Sequence, residues 1–333
     1  MQSSKGIKFF IFLIINMIIV LLPNDVYSMQ KNQKIPQEVI IGGELLHMEL
    51  NTEKVMIFGI EKNSFIKNYD LIDCISGDSV KRMFNQNEKN ILSKQDIITT
   101  LISMKEDEKI NLSLIRNNKK IKVSIDKKQL KPEYLVDKIP YTATLTYINP
   151  QNLNFGAVGH DIEFKGNEKL ITNKGEIYKS NLSRIKKSSK KYVGNISGDK
   201  SGNLLGTISN MGSYSVKGNV NSLQNNKENK IFKIANENEV KLGRAFVVMK
   251  HNENEAKYYK INVTKINKID KEIESFDFKV EDEQLIKKYG GITQGMSGSP
   301  IIQNDKLIGS LSYVMTKDTL NGNGVYIKTM MKE

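Results

Sequence analysis

The sequence predicts a mainly β protein whose C-terminal half, residues 136–333, folds into two small antiparallel barrels. Short β-prone stretches follow one another through this half, separated by turn-forming Gly, Asn and Ser. No long helical pattern interrupts them, and roughly 200 residues suffice for two barrels of this kind. The predicted strands include Ala143–Tyr147, Asn154–Val158, Tyr192–Ile196, Leu204–Ile208, Ile231–Ile234, Ala245–Val248, Tyr258–Val263 and Phe276–Val280.

Composition limits the classes of function. The chain has 333 residues, enough for two domains, with 39% apolar and 8% aromatic residues, as in globular proteins. Its net charge is +13, but the lysines lack interleaved aromatic residues. This pattern argues against nucleic acid as a partner and favours an anionic membrane or wall polymer. Cys74 is the single cysteine, which excludes an internal disulfide and a cysteine-rich metal site. No metal and no cofactor is predicted.

The N-terminus has the layout of an export signal. Lys5 and Lys8 precede an apolar run from Phe9 to Leu22, and Val26-Tyr27-Ser28 then offers small residues, Val26 and Ser28, at the two positions that a signal peptidase reads. The apolar run is shorter than the roughly 20 residues of a typical spanning helix. Residues 1–28 are therefore predicted to be a signal peptide or a membrane anchor, and the rest of the chain is expected to be exported.

Residues 36–131 alternate β-prone segments with turns. One helix is predicted from about Lys94 to Met104, because Ile97, Ile98, Leu101 and Ile102 recur at spacings of three and four. The predicted strands here are Val39–Ile41, Val55–Ile60, Leu71–Ile75, Ile110–Ile115 and Lys120–Ile125.

The stretch Asp70–Asp78, DLIDCISGD, resembles the strand and tight turn of PDZ domains. Strands on either side of Asn117-Asn118 would form the closing hairpin of such a domain. PDZ domains bind an extended peptide at a sheet edge and hold its carboxylate in a backbone nest. Gly42–Met48 is the nearest candidate for that nest, although it carries bulky residues. A PDZ-like fold is expected for 36–131, and its peptide binding stays open.

The stretch Gly290–Val314, GGITQGMSGSPIIQNDKLIGSLSYV, carries the strongest catalytic signal. A serine between small residues in a tight turn can present its hydroxyl together with backbone N–H groups, as acyl transfer requires. A G-x-S-G string alone is equally typical of a plain β-turn. Here an apolar hairpin with a turn at Asn304-Asp305 follows. Ser297 is the predicted nucleophile, and the N–H groups of Gly295 and Ser297 form the predicted oxyanion hole.

Three histidines are candidates for the general base. His160 follows a predicted strand and a glycine in FGAVGHDI, and it precedes Ser297 with acids between them. That is the His–Asp–Ser order of one class of serine peptidases, so His160 is the predicted base. His47 is interpreted as an ordinary exposed or half-buried histidine. His251, in a polar stretch interpreted as a loop, is the weaker rival.

The orienting acid has three candidates. Asp161 is a poor one, because neighbouring side chains on a strand point to opposite faces. Asp282 lies 15 residues before Ser297, and Asp199 lies in a predicted loop over Ser197–Lys200. Spacing alone does not choose between these two.

The segment FGAVGH, the acid before Leu285 and the stretch around Ser297 are together similar to the SpoIVB-type stage IV sporulation serine peptidases. The layout also matches, with an export signal, a PDZ domain and a chymotrypsin-like double β-barrel. The resemblance implies Ser297 as nucleophile, His160 as base and Asp282 as acid.

The resemblance also implies a role. Such peptidases are exported into the space between the forespore membranes, where they process themselves. They cut a membrane-bound regulator of an intramembrane protease, which then activates a late sigma factor. The expected partners are thus that regulator and the protein itself, close to a membrane. The alternatives are a catalytically silent PDZ scaffold and a general envelope protease of the HtrA type.

Overall fold

The computed structural model describes residues 35–61, 65–86, 88–90, 93–159, 171–223, 229–251, 255–315 and 318–333. The elements below all belong to one compact unit, Gln37–Glu333. The predicted signal peptide or anchor, residues 1–28, lies outside the described residues. Among the helices of those described ranges, none combines the length and apolar character needed to cross a membrane.

The described residues are mainly β. Their strands are β1 Glu38–Ile41, β2 Leu45–Ile57, β3 Leu71–Ser76, β4 Glu88–Asn90, β5 Lys109–Arg116, β6 Lys119–Asp126, β7 Leu135–Ile148, β8 Asn154–Ala157, β9 Ile171–Lys186, β10 Asn195–Met211, β11 Val216–Val220, β12 Ile231–Ile234, β13 Gly243–Met249, β14 Lys257–Ile269, β15 Glu272–Val280, β16 Pro300–Gln303, β17 Lys306–Met315 and β18 Asp318–Tyr326. The helices are α1 Asp78–Phe84, α2 Lys94–Ser103, α3 Glu283–Tyr289 and α4 Ile327–Lys332, with short 3-10 turns at Lys127–Gln129, Pro132–Tyr134 and Glu237–Glu239.

Six strands close into a first barrel. The antiparallel pairs run from β7 to β2, β9, β10, β11, β8 and back to β7. Leu46, Met48 and Leu50 alternate along β2 and pack in the core with Phe155 and Ile177, as the two-residue period of a strand dictates. Closure leaves this sheet without an open edge.

Six further strands close a second barrel, from β13 to β14, β15, β18, β17, β16 and back to β13. Its buried side chains include Val247, Ile261, Phe276 and Phe278. The β16–β17 hairpin turns at Asn304-Asp305, both at positive φ, as predicted. The predicted mainly β fold with a chymotrypsin-like double barrel is confirmed.

Residues 55–135 form a small lobe with a separate apolar core. Its core includes Val55, Ile72, Leu112 and Leu135, and it contains β3, α1, β4, α2, β5 and β6. The hairpin predicted at Asn117-Asn118 joins β5 to β6, with both asparagines in the left-handed region. A PDZ fold for 36–131 stays a prediction.

The predicted helix in this lobe is present as α2. Ser93 caps it, because its hydroxyl accepts the Asp96 N–H while the Asp96 carboxylate accepts the Ser93 N–H. Ile97 and Leu101 are buried, whereas Ile102 is 75% exposed. Ile102, which recurs at the same spacings in the sequence, lies outside the buried face of α2, since each helical residue turns about 100° past the one before it.

The segment Gly42–Met48 is not a free backbone nest. Leu45 to Met48 belong to β2, which pairs with β7 on one side and, from Leu46, with β9 on the other. The N–H groups of Gly42 and Gly43 already donate to β7 carbonyls. Strand β1 and the first part of β2, residues 38–51, lie within the predicted 36–131 segment. They nevertheless pair with strands outside that segment, β1 with β7 and β12, and β2 with β7 and β9.

Candidate active site

Ser297 lies in a sharp turn, residues 293–299, between α3 and β16, here called the nucleophile turn. Gly295 and Gly298 have φ values of +93° and +97°, which side chains rarely adopt. A Cβ atom at Gly298 would lie 1.9 Å from the Thr144 carbonyl oxygen. Both glycines are thus required by the backbone path; Gly298 also packs closely against β7, and Gly295 against Ile196 of β10.

Strand β7 of the first barrel contacts this turn through three hydrogen bonds. The Thr144 N–H donates to the Ser297 carbonyl at 2.9 Å. The Thr144 hydroxyl donates to the Gly295 carbonyl at 2.8 Å, and the Thr146 hydroxyl donates to the Gly298 carbonyl at 2.7 Å. The nucleophile turn is therefore held between the two barrels.

Bonds made by neighbouring carbonyls set the direction of the two predicted oxyanion donors. The Gln294 carbonyl accepts the Ile196 N–H at 2.8 Å, and the Met296 carbonyl accepts the Ser299 N–H at 2.9 Å. In a planar trans peptide the C=O and the following N–H point in opposite directions. The N–H groups of Gly295 and Ser297 are thus turned away from these two internal bonds.

The Ser297 side chain is half-buried. Its hydroxyl donates to the Ser312 carbonyl of β17 at 2.9 Å. Rotation about the Cα–Cβ bond would move the hydroxyl away from this carbonyl. The Ser297 oxygen is therefore ordered by one hydrogen bond but can still change rotamer.

His160 and Asp161 lie outside the described residues, but the chain leading to them is described. Val158 is buried, and its backbone nitrogen lies 3.3 Å from the position a Cβ would take on Gly298. A Cβ on Gly159 would lie 2.9 Å from the Val216 Cγ2. Val158, two residues before His160, therefore borders the nucleophile turn.

The other two histidines lie elsewhere in the fold. His47 is half-buried on β2, 3.8 Å from Glu49; burial lowers its pKa, and the Glu49 charge only partly offsets that. His251 is 3% exposed, with its Nδ1 3.3 Å from the Tyr289 hydroxyl of α3. His251 does lie in a bend after β13, outside any strand, but it is buried there and its ring packs edge-on against Tyr289.

The two acids left open by spacing have different surroundings. Asp199 is exposed on β10, opposite Asn181, and not in a loop. Asp282 is the N-cap of α3: its carboxylate accepts the N–H groups of Gln284, Leu285 and Lys260. A carboxylate has about four acceptor positions, and bonds from the described part of the chain take three of those on Asp282.

Thr144 and Thr146 are site residues that the sequence did not single out. Their signal is present as alternate threonines in Thr142-Ala143-Thr144-Leu145-Thr146, which puts the hydroxyls on one face of β7. The carbonyl groups that accept hydrogen bonds from the Thr144 and Thr146 hydroxyls lie about 150 residues further along the chain.

The SpoIVB peptidase S55 family model matches residues 133–331, which is 199 of the 333 residues. The chain belongs to this family. It is accordingly a serine peptidase, with the family's matched segment spanning both Thr144 and Ser297.

Solved structures similar to this peptidase include two proteases and an inactivated protease paralogue. The active form of the Rv3671c protease from M. tuberculosis has 13% identity and a TM-score of 0.34, covering 57% of this chain and 71% of its own. The HtrA-type protease AlgW has 8% identity and a TM-score of 0.32, covering 58% and 50%. A scabies mite inactivated protease paralogue has 11% identity and a TM-score of 0.32, covering 57% and 85%.

At such TM-scores the likeness adds nothing to the strand pairing described above. No curated protein sequence matches this chain.

Proposed function

We propose that this chain is an exported serine endopeptidase of sporulation signalling. It processes itself and cuts a membrane-bound regulator, so that an intramembrane protease can activate a late sigma factor. Membership of the SpoIVB peptidase family supports the setting. The observation that carries the chemistry is the nucleophile turn, where Ser297 lies between two positive-φ glycines and is held from both barrels.

In the proposed mechanism the Ser297 Oγ attacks the carbonyl carbon of the scissile peptide, and His160 takes the hydroxyl proton. The oxyanion accepts hydrogen bonds from the N–H groups of Gly295 and Ser297. His160 then passes its proton to the leaving amine as the C–N bond breaks, and water hydrolyses the acyl-enzyme. Loss of one oxyanion donor typically costs about 3 kcal/mol of transition-state stabilisation.

For the orienting acid we propose Asp282, as the family resemblance implies. Its fourth acceptor position would take the imidazole N–H, while the other three hold the carboxylate still through backbone bonds. A carboxylate fixed in this way would set the tautomer of the base without moving during the reaction.

Two further parts of the proposal concern location and docking. Residues 1–28 would direct export to the space between the forespore membranes, with 9–22 as a signal or an anchor. The small lobe would act as a PDZ-like docking site for the regulator and for another copy of the chain. Its core is joined to the first barrel by β2 and β7.

The chemistry is tested by labelling the full chain with a fluorophosphonate probe. We expect labelling of the natural protein and none of Ser297→Ala, because only an activated serine reacts. Ser299→Ala is the matched control, since it removes a buried hydroxyl from the same turn and should leave labelling intact. Absence of labelling in the natural protein would favour the silent scaffold.

The signalling role is tested by the pattern of cleavage. N-terminal sequencing of the purified mature protein should give one or two defined ends that are absent from Ser297→Ala. Broad degradation of an unfolded protein such as reduced casein, without defined self-cleavage, would favour the general envelope protease.

A further inference from the structure

Two buried hydroxyls of the first barrel bond to backbone atoms of the nucleophile turn. Thr144 and Thr146 are each 0% exposed on β7. Their donor-to-acceptor distances of 2.8 and 2.7 Å are those of well-formed hydrogen bonds. Leaving a buried carbonyl unpaired is costly, so these bonds strongly favour one arrangement of the turn.

Both acceptors belong to glycines, Gly295 and Gly298, on either side of Ser297. Glycine is the residue with the widest backbone freedom, and both adopt positive φ. The peptide planes at these positions are therefore the parts of the turn that could most easily rotate. The two hydroxyls hold the turn at these flexible points.

The hydrogen bond from the Thr144 hydroxyl to the Gly295 carbonyl affects the orientation of the two predicted oxyanion donors. Gly295 joins the peptide that carries its own N–H to the peptide whose carbonyl accepts the Thr144 hydroxyl. The next peptide carries the Ser297 N–H. Because planar peptides turn only about the φ and ψ bonds between them, holding the middle plane limits how far the other two can diverge.

We propose that Thr144 and Thr146 are positioning residues for peptide-bond hydrolysis. Their hydroxyls hold the peptide planes of Gly295 and Gly298 so that the N–H groups of Gly295 and Ser297 face one oxyanion position. The inference rests on the proposed mechanism and adds to it a contribution from the opposite barrel. Hydrogen-bond donors that are already oriented before the reaction stabilise the transition state more than the bound substrate. Loss of a threonine hydroxyl should therefore lower kcat rather than raise KM.

The test is to replace each threonine by valine, which keeps the branched shape and removes the hydroxyl. The readout is hydrolysis of p-nitrophenyl acetate by the full chain, together with the labelling rate of the fluorophosphonate probe. We expect Thr144→Val to lower kcat about 100-fold, as for loss of an oxyanion donor. KM should change by less than about twofold, and Thr146→Val should have a smaller effect in the same direction.

Rescue by serine and a matched control separate positioning from folding. Thr144→Ser keeps the hydroxyl and should recover kcat to within about threefold of the natural protein. Thr100→Val removes an equally buried hydroxyl, which donates to the Asp96 carbonyl at 2.8 Å in the small lobe. It should lower the urea midpoint as Thr144→Val does and leave kcat unchanged.

The proposal is overturned if both valine variants, folded by circular dichroism, keep the natural kcat. It is equally overturned if Thr144→Ser is as slow as Thr144→Val, because the hydroxyl would then be irrelevant. If Thr144→Val does not fold, the comparison of Thr146→Val with Thr146→Ser decides. Failure of the serine mechanism itself is recognised separately, because Ser297→Ala would then equal the natural protein in both assays.

Discussion

The nucleophile turn is hydrogen-bonded to β7, and the small lobe begins where β2 pairs with β7 again, but the two regions are stabilised differently. Strands β2 and β7 pair over Leu45–Asn51 inside the first barrel, and again at Met56 and Ile57 where the lobe begins, with a shift of register between. In the barrel, β7 contacts the turn through neutral hydrogen bonds. In the lobe, carboxylates that accept hydrogen bonds from arginine side chains are prominent.

Two ion pairs show the lobe's character. Arg116 donates to both Asp70 oxygens, at 2.7 and 2.6 Å, and Asp70 is buried. Glu108 accepts from the Ser79 hydroxyl at 2.6 Å and from Arg82 at 2.9 Å. Acid, or loss of a carboxylate, should therefore destabilise the lobe before it weakens the hydrogen bonds from the β7 threonines to the nucleophile turn, because hydroxyl and carbonyl groups do not titrate in this range.

In the comparison of the nucleophile turn with the small lobe, the largest expected effect is the loss of kcat on replacing Asp282. Asn is as good an N-cap as Asp, so Asp282→Asn should keep α3 while removing the charge that would orient His160. The expected loss of kcat is about 10⁴-fold, the size seen when a triad carboxylate becomes an amide. Ester hydrolysis and thermal unfolding are measured together.

A cap in the lobe is the control for that experiment. Ser93→Ala removes the N-cap of α2 and should cost about 1 kcal/mol of stability with no change in kcat. If Asp282→Asn loses less than tenfold in kcat, Asp282 is a helix cap and the orienting acid lies elsewhere.

The second-largest effect is expected when a positive-φ glycine of the nucleophile turn, Gly298, is replaced, and a positive-φ glycine of the lobe, Gly59, is the comparison. Gly298→Ala would place a Cβ 1.9 Å from the Thr144 carbonyl, so β7 and the turn must separate. We expect a loss of kcat of at least about 100-fold and about 3 kcal/mol of stability. Gly59→Ala, at φ +78° in the lobe with open space around it, should cost only about 1 kcal/mol. Equal activity of the two variants would contradict close packing at the turn.

The smallest effect is the pH dependence of the lobe. Burial raises the pKa of Glu108, but hydrogen bonds from Ser79 and Arg82 outweigh it and bring the pKa down to about 2. Because the folded pKa is depressed, the stabilisation is present above the unfolded pKa near 4.5 and lost as pH falls towards 2.

The measurement is the urea midpoint of the natural protein and of Glu108→Gln at several pH values. The two midpoints should differ most at pH 7 and converge between about pH 4.5 and pH 2. A difference that stays constant over this range would show that Glu108 contributes by packing alone.

Local features could be predicted because their causes are local. The strand Ile231–Ile234 matches β12 residue for residue, and the helix from Lys94 differs by one residue at its end. The turns at Asn117-Asn118 and Asn304-Asp305 follow from the ease with which asparagine and aspartate adopt positive φ. The start of α3 was not predicted, although Asp282 before Glu283 and Gln284 is a typical helix start.

Contacts between distant segments could not be predicted in the same way. Leu45 to Ile57 is one strand although its ends are buried in two different cores, so its apolar pattern does not read as a single face. The burial of His251 depends on Tyr289, a residue from another element.

The β class, the hairpins and the glycine-flanked serine can be predicted from neighbouring residues alone, because backbone preference and the two-residue strand period act within a few residues. The contacts that hold that serine in place follow from the folded arrangement of distant strands. The threonine hydroxyls of β7 become part of the site when two closed barrels bring together residues about 150 positions apart.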